Sequence, residues 1–212
     1  MIQTGGALKE MFSNLMIKNV IMDMGNVLLD YNPMVVIDKY IKNPQDKEII
    51  LNELFNGSEW KQGDLGYIND DEMYNLVKER VPSRLHKELF HCVEEWEICM
   101  EPVEGAKEFT DYVKKSGYNI YVLSNASKKF YKYFDRFAPF EYFDGIMISA
   151  DVHMVKPDEG IYHKFIERFS VNPSECLFID DREDNVSGAV KSGINAVVYK
   201  GDFLKIVKNY LH

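Results

Sequence analysis

The sequence has little of what marks secreted, membrane-spanning or nucleic-acid-binding proteins. Its 212 residues include only three cysteines, Cys92, Cys99 and Cys176. This odd and sparse set predicts reduced thiols and argues against a disulfide framework. No apolar run approaches the ~18 residues of a membrane-spanning helix. The net charge of −9 disfavours nucleic acid and anionic membrane surfaces as partners, because these are polyanions. A small phosphorylated substrate is still compatible with this charge, because a few cations at its binding site can outweigh the negative field of the whole protein.

The first residues carry neither the basic stretch nor the apolar block of a secretory signal. We therefore expect a cytoplasmic protein. Residues 1–15 are interpreted as an N-terminal extension with a weak helical pattern and no chemistry of its own.

The length, with 46% apolar residues, suffices for one domain with an insert. The oligomeric state stays open.

Five short apolar runs predict β-strands, and helical stripes separate the last four of them. The runs are residues 20–22, 120–123, 143–148, 177–179 and 196–199. Strands that are apolar throughout and alternate with helices are typical of a parallel sheet covered on both faces. The predicted fold class is therefore α/β, with a doubly wound parallel sheet.

Residues 33–101 interrupt this alternation directly after the first strand. They contain no convincing strand, and their apolar residues recur with helical spacing between breakers, which predicts an insert of four short helices. We predict a core of residues 16–32 and 102–212 with 33–101 as a small all-helical cap. Within the insert, Trp60 and residues 63–67 form either an ordinary helix–helix loop or the part of a cap that reaches a substrate. Cys92 and Cys99 are expected to be packed as apolar residues.

Polar side chains follow four of the predicted elements at places that a parallel sheet brings to one edge. These residues are Asp23, Ser124, Asn125, Lys156, Asp180 and Asp181, with Asp184 nearby. A buried carboxylate at a strand end can attack phosphorus, and a hydroxyl with backbone N–H groups can hold phosphoryl oxygens. A lysine neutralises charge on the transferring group, and carboxylates hold Mg²⁺. Together these groups predict phosphoryl transfer. Taken alone, each also has a structural interpretation as a turn, cap or solvated residue.

These residues resemble the four motifs of the haloacid dehalogenase-like hydrolase superfamily. They stand here as Asp23-Met24-Gly25-Asn26-Val27, Ser124-Asn125, Lys156-Pro157 and Asp180-Asp181-Arg182-Glu183-Asp184-Asn185. The resemblance covers residues 18–199, and the helical insert lies where that family places a mobile cap. Within the superfamily the chain most resembles bacterial sugar-phosphate phosphatases of the α-D-glucose-1-phosphate phosphatase kind, which share the Asp-x-Gly-Asn-Val motif.

The resemblance implies a role for each motif residue. Asp23 would be the nucleophile and a metal ligand, and the backbone carbonyl of Gly25 a second ligand. Ser124 and the Asn125 amide would bind the phosphoryl group, which Lys156 would bridge to Asp23. In the last motif, Asp181 would be the carboxylate that binds Mg²⁺, and Asp180 and Asp184 would support it indirectly.

Gly25 is a departure from the family, most of whose phosphatases carry a second aspartate there as general acid and base. General acid–base catalysis typically contributes ~10²–10⁴-fold to the rate. A slower enzyme, or another proton donor, is therefore expected. Asp30 is near in sequence, and His153 stands where the family often has glycine. His153 is a candidate for the missing proton transfer, although a structural or exposed role suits a lone histidine better.

The expected function is a Mg²⁺-dependent phosphatase that hydrolyses a small phosphate monoester, in particular a sugar phosphate, through an aspartyl-phosphate. A dehalogenase with the same nucleophile is one alternative, but its chemistry needs no Mg²⁺ and leaves Asp180 and Asp181 without a purpose. A phosphomutase depends even more on the absent acid–base group. A catalytically silent protein that binds a metabolite or a partner protein is the alternative that Gly25 favours.

Overall fold

The protein is built on a parallel five-stranded sheet in the order β5-β4-β1-β6-β7, described by a computed structural model over residues 16–211. The predicted extension, residues 1–15, lies outside this range. The strands are β1 Asn19–Met22, β2 Leu29–Tyr31, β3 Met100–Pro102, β4 Asn119–Ser124, β5 Gly145–Ile148, β6 Cys176–Asp180 and β7 Asn195–Val198. The α/β fold class with a parallel sheet is confirmed, and the five predicted strands differ from the observed ones by one or two residues at their ends.

Helices cover both faces of the sheet. The α-helices are α1 Met34–Tyr40, α2 Pro44–Ile50, α3 Ser58–Asp64, α4 Asp70–Val77, α5 His86–Glu95, α6 Ala106–Lys115, α7 Phe130–Tyr133, α8 Ser149–Val152, α9 Glu159–Phe169, α10 Glu183–Lys191 and α11 Phe203–Tyr210. A π-helix spans Leu51–Phe55, and 3₁₀ turns span Ser83–Leu85, Trp96–Cys99, Phe134–Arg136, Phe140–Tyr142 and Pro173–Glu175. Successive residues of β1 face opposite sides: Ile21 packs with Phe165 of α9, while Met22 joins the larger core on the other face.

The insert between β2 and β3 differs from its prediction in two respects. Among the described residues it holds five α-helices, not four, because α3 occupies a segment interpreted as a possible loop. In addition, β2 and β3 pair as an antiparallel ribbon that joins the insert to the sheet. Strands of three residues carry too little periodicity to be recognised in a sequence. The division of the chain into a core and a separate cap stays a prediction.

The three thiols are free and buried, as the sequence predicts. Cys92 and Cys99 lie in the larger hydrophobic core, and Cys176 packs on the opposite face of the sheet. Across residues 16–211, no helix is both long and apolar enough to cross a bilayer.

Candidate active site

Asp23 lies at the carboxyl edge of the sheet because β1 is its central strand. The register places Met22 opposite Val122 of β4 and Ile179 of β6. The backbone N–H of Asp23 still donates to the carbonyl of Ile179 at 2.9 Å, so the carboxylate is held at the end of a fully paired strand. The chain then leaves the sheet through Asn26, whose φ of 56° is a left-handed conformation that asparagine tolerates.

The Asp23 carboxylate is buried and has one engaged oxygen. Its Oδ1 accepts hydrogen bonds from the Met24 backbone N–H at 2.7 Å and from Lys156 Nζ at 2.8 Å. Its Oδ2 has no hydrogen bond within residues 16–211. Burial raises the pKa of Asp23 to about 7, an effect that the Lys156 charge opposes and the Asp180 charge reinforces. A cation beside Asp23 would therefore favour its reactive, ionised form.

Lys156 has a fully buried ammonium group that uses three hydrogen bonds. It donates to Asp23, to Asp180 Oδ2 at 2.6 Å and to the Leu123 carbonyl at 3.0 Å. Burial by itself would lower the pKa of Lys156, but the charges and hydrogen bonds of Asp23 and Asp180 together raise it. The lysine is thus held as a fixed positive charge next to Asp23.

Asn125 positions the backbone of Lys156. Its side-chain Oδ1 accepts from the Lys156 N–H at 2.8 Å, and its Nδ2 donates to the Lys156 carbonyl at 3.0 Å. Ser124 ends β4 and is buried beside the same site. The structure therefore gives the Asn125 side chain a positioning contact, while its predicted binding to a phosphoryl group stays a prediction.

Asp180 is fully buried and its two oxygens are occupied by the protein. Oδ1 accepts from the Arg182 backbone N–H at 2.9 Å, and both oxygens lie 3.0 Å from Asn185 Nδ2. Together with the bond to Lys156, these contacts make Asp180 the anchor of the lysine. The expected indirect support of the Asp181 metal ligand by Asp180 stays a prediction.

One carboxylate oxygen each from Asp23, Asp180 and Asp181 lie within 4.8 Å of one another, a group able to hold a metal ion. Asp181 is half-buried, and its Oδ2 accepts from Asn26 Nδ2 at 3.0 Å, which orients it. Because Mg²⁺ prefers oxygen ligands from one or two carboxylates, this donor set fits that ion. Asp180 is the member least able to contribute, since its lone pairs are already used.

A cavity of about 280 Å³ opens above these groups and is lined by Asp23, Gly25, Ser124, Asn125, Lys156 and Asp181. The six residues predicted as catalytic, substrate-binding or metal-binding are therefore brought together. We call this space the site cavity. Its opposite wall consists of aromatic rings in mutual contact. These are Tyr31, Phe55, Trp60, Trp96 and Tyr133, with ring-centroid separations of 5.0 to 6.4 Å.

The proton-donor candidates from the sequence lie elsewhere. Neither Asp30 nor His153 lines the site cavity. Asp30 is exposed on the β2–β3 ribbon, and His153 is exposed with Nδ1 2.7 Å from the Leu65 carbonyl. Asp184 also lies outside the cavity and pairs with Arg182 at 2.8 Å. The structure gives no support to a catalytic His153 and favours the structural interpretation.

Asp64, at the end of α3, lines the site cavity and was not among the predicted site residues. Burial raises its pKa to about 7, and the Asp23 charge adds to this effect. The sequence signal for it was the segment of Trp60 and residues 63–67, interpreted either as an ordinary helix–helix loop or as the part of a cap that reaches a substrate. The residue itself was not distinguishable from its neighbours.

Comparison with known proteins agrees with this geometry. Residues 17–193 match the model of the haloacid dehalogenase-like hydrolases. The chain is 26% identical over 178 residues to sesquiterpene phosphatase astK of Aspergillus oryzae, which covers 84% of this chain and 87% of that protein. It is 24% identical over 181 residues to D-ribitol-5-phosphate phosphatase of Bacteroides thetaiotaomicron, covering 81% and 86% respectively.

Solved structures show the same fold. A haloacid dehalogenase family enzyme of Bacteroides thetaiotaomicron, in complex with magnesium and inorganic phosphate, has a TM-score of 0.69 at 23% identity. The superposition covers 87% of this chain and 95% of that one. The chain therefore belongs to the haloacid dehalogenase-like hydrolase family, and the prediction of an enzyme of this family is confirmed.

Proposed function

We propose that the protein is a Mg²⁺-dependent phosphatase that hydrolyses a small phosphate monoester through an aspartyl-phosphate on Asp23. The observation that carries this proposal is the position of Lys156 Nζ, 2.8 Å from Asp23 Oδ1, beside carboxylate oxygens that lie within 4.8 Å of one another. A nucleophile, a fixed cation and a set of magnesium ligands at one edge of the sheet are what phosphoryl transfer requires.

Each residue of the site has a distinct role in phosphoryl transfer. Asp23 Oδ2, which has no hydrogen bond in the described part of the chain, attacks the phosphorus atom in line with the departing oxygen. The Ser124 hydroxyl holds a phosphoryl oxygen in the site cavity, and the Lys156 charge beside Asp23 offsets the negative charge of the phosphoryl group. Asp23 and Asp181, with the Gly25 carbonyl, would hold Mg²⁺, which supplies neutralising charge on the phosphoryl group when it is bound. Water then hydrolyses the aspartyl-phosphate and returns Asp23 to its starting form.

The site cavity favours a substrate whose leaving group is uncharged. Among its lining residues the cations are Lys156, which is fully engaged, and Arg182, which pairs with Asp184. No lining cation is therefore available for a second phosphate or a carboxylate. The aromatic wall suits the face of a sugar ring, so a sugar monophosphate is the first candidate, and α-D-glucose 1-phosphate is included because of the motif resemblance. Relatives named for D-ribitol 5-phosphate and for sesquiterpenes define two further candidates.

Two alternatives explain less of the site. A dehalogenase needs no Mg²⁺, so the convergence of Asp181 on Asp23 would have no use. A silent binding protein would gain nothing from the buried Lys156 between two carboxylates, which carries a desolvation penalty. The predicted cytoplasmic location agrees with the three free thiols and stays a prediction.

A substrate panel on the purified protein tests the proposal. Phosphate release is measured from α-D-glucose 1-phosphate, D-ribitol 5-phosphate, a prenyl monophosphate and 4-nitrophenyl phosphate, each with Mg²⁺ and with a chelator. We expect Mg²⁺-dependent release that Asp23→Asn abolishes. No release from any ester would favour the silent protein, and metal-independent halide release from 2-chloropropionate would favour the dehalogenase.

A further inference from the structure

The site lacks an obvious proton donor for the leaving group. Gly25 offers no side chain, and of the titratable groups that line the site cavity most are already committed. Lys156 uses its three donors on Asp23, Asp180 and a carbonyl. Asp181 belongs to the candidate metal ligands. One carboxyl group in the lining stands outside all these contacts, and it comes from the helical insert.

We propose that the Asp64 carboxyl group is the general acid and base of this site, protonating the leaving-group oxygen and later accepting a proton from the hydrolytic water. The proposal rests on the phosphatase function proposed above. It assigns a catalytic residue to the insert and explains how a chain with Gly25 at the usual acid–base position can complete both half-reactions.

Asp64 is held in place by successive contacts with the segment after β5. Its carbonyl accepts from the hydroxyl of the fully buried Ser149 at 2.5 Å. That hydroxyl in turn accepts from the Ala126 N–H at 2.9 Å. The end of α3 is thereby tied to the loop that follows Ser124 and Asn125. A catalytic carboxyl must be positioned to within fractions of an ångström, and buried hydrogen bonds achieve this.

The next two residues are fixed in the same way. The Leu65 carbonyl contacts His153 Nδ1 at 2.7 Å. Gly66 adopts a φ of +71°, and a Cβ atom there would lie 2.5 Å from the Ala150 carbonyl oxygen. Three consecutive residues thus contact the core directly, which keeps the Asp64 side chain over the site cavity.

The surroundings of Asp64 favour its protonated form. It ends helix α3, where the partial negative charge of the backbone carbonyls disfavours a second negative charge. Burial raises its pKa to about 7, with a further rise from Asp23 and an opposing effect from the Ser127 backbone N–H. A general acid works best when its pKa lies near the working pH. A carboxyl group with an ordinary pKa would already have lost its proton.

The other ionisable groups of the cavity are less suited to this task. Burial raises the pKa of Tyr31 and of Tyr133 above the ordinary value of 10.0, and the charge of Asp64 contributes to both shifts. Neither phenol donates a proton readily near neutrality. The Tyr133 hydroxyl also donates to Met24 Sδ at 3.4 Å.

The two chemical steps balance with Asp64 in this role. In the first, Asp23 Oδ2 forms a bond to phosphorus, the bond from phosphorus to the leaving oxygen breaks, and that oxygen takes the Asp64 proton. In the second, a water oxygen bonds to phosphorus while Asp64 accepts the proton that the water loses. The bond from phosphorus to Asp23 breaks, its electron pair returns to the carboxylate, and Asp64 is again protonated.

Two aryl esters that differ in leaving group test the proposal. Phenolate is a poor leaving group without a proton, whereas 4-nitrophenolate departs unaided. We expect Asp64→Asn to reduce kcat on phenyl phosphate by about 10²–10⁴-fold. On 4-nitrophenyl phosphate the first turnover should stay within about tenfold of the wild-type rate, because the two leaving groups place different demands on an acid. In Asp64→Asn this first turnover should appear as a burst of nitrophenolate equal to the enzyme concentration. The later turnovers should be slow, because the variant hydrolyses its aspartyl-phosphate slowly.

Asp71→Asn is the matched control, because Asp71 is exposed in the same insert and does not line the site cavity. It should retain wild-type rates on both esters. Asp64→Gln provides a second variant without the carboxyl group in case Asp64→Asn does not fold. Equal losses on both esters at the first turnover, or wild-type rates, would overturn the proposal. A wild-type protein inactive on both esters and on the whole substrate panel would instead overturn the phosphatase function itself, together with this proposal.

A rescue variant adds an independent readout. Gly25 lines the site cavity, and a Cβ atom there would meet no heavy atom within 4 Å, so a side chain can begin at this position without a clash. We expect Asp64→Asn with Gly25→Asp to regain at least about tenfold of the lost rate on phenyl phosphate, because a carboxyl group again reaches the leaving oxygen. A purely structural role for Asp64 would give no such recovery.

Discussion

Lys156 Nζ lies 2.6 Å from Asp180 Oδ2, and the two side chains expose 1% and 0% of their surface. This buried pair gives the lysine a second carboxylate partner besides Asp23. Asp180 also accepts hydrogen bonds from the Asn185 side chain and from the Arg182 backbone N–H, so its oxygens are occupied by the protein. The two neighbouring aspartates of the last motif therefore differ in role. Asp180 holds the lysine, and Asp181 remains available to bind a cation.

Lys156→Met is expected to destabilise the fold as well as to abolish catalysis. The substitution leaves Asp23 and Asp180 buried without their counter-ion, and breaking such a pair from one side costs about 3–5 kcal/mol. Urea unfolding measures the change in the free energy of unfolding. Adding Asp180→Asn should recover part of the loss, because the two residues share one network. Lys164→Met, which removes an exposed lysine paired with Glu167, should change little; a comparable loss there would contradict the argument.

The central part of the site could be predicted because a parallel sheet determines where its strands end. Asp23, Ser124 and Asp181 follow apolar runs, and a sheet with these runs as neighbouring strands brings them to one edge. The sequence pattern grouped Lys156 with the strand ends, but this lysine comes from the loop after α8, so strand register does not explain its approach to Asp23. Its position was therefore predictable from the family pattern and not from periodicity.

Asp64 could not be singled out because its position depends on how the insert packs. Helix α3 is short and polar and contains Gly63, so it shows neither a clear apolar stripe nor a clear boundary. The contact that brings Asp64 over the cavity, from Ser149 to its carbonyl, joins residues 85 positions apart. Nothing in the local pattern of either segment indicates that contact. The β2–β3 ribbon could not be predicted either, because it too depends on a contact between segments that are far apart in the sequence.

Mg²⁺ is expected to stabilise the protein through Asp181. A ligand that binds only the folded state raises the melting temperature, and the rise grows as the logarithm of its concentration once that exceeds the dissociation constant. Thermal melts with increasing Mg²⁺ should show this rise in the wild type, and Asp181→Asn should weaken apparent binding at least ~10-fold. Glu183→Gln is the control, since Glu183 is exposed nearby and does not line the site cavity. Equal weakening in both variants would indicate a diffuse acidic effect rather than a ligand.

Asp64 should make stability fall as the pH rises. Burial raises its pKa from 3.8 to about 7 in the folded protein, so the folded state favours the protonated form. The resulting penalty is absent below about pH 4, grows between about pH 4 and 7, and is complete above that range. Asp64→Asn removes it and should raise the free energy of unfolding by up to about 4 kcal/mol near pH 8. Urea unfolding in chelator at about pH 4 and pH 8 measures the difference. Asp71→Asn should show none, and a gain of equal size at both pH values would contradict the assignment.

Gly66→Ala is expected to impair catalysis through Asp64 as well as to destabilise the fold. Gly66 has a φ of +71°, and a methyl group there would approach the Ala150 carbonyl oxygen at 2.5 Å. The turn after α3 must then move away from the core, carrying with it a carboxyl group two residues earlier. Displacements of about 1 Å at a catalytic group can reduce the rate by ~10²-fold.

The matched control is Gly117→Ala after α6. Gly117 has a similar φ of +84°, but a Cβ atom there meets nothing within 4 Å. Both alanines carry the left-handed strain of roughly 1–2 kcal/mol, so both should lower the melting temperature. Only Gly66→Ala should also lower kcat, and the loss should be greater on phenyl phosphate than on the first turnover of 4-nitrophenyl phosphate. If both alanine variants kept the wild-type kcat, the turn after α3 would not be what positions Asp64. The contact between Ser149 and the Asp64 carbonyl would then have to hold that carboxyl group by itself.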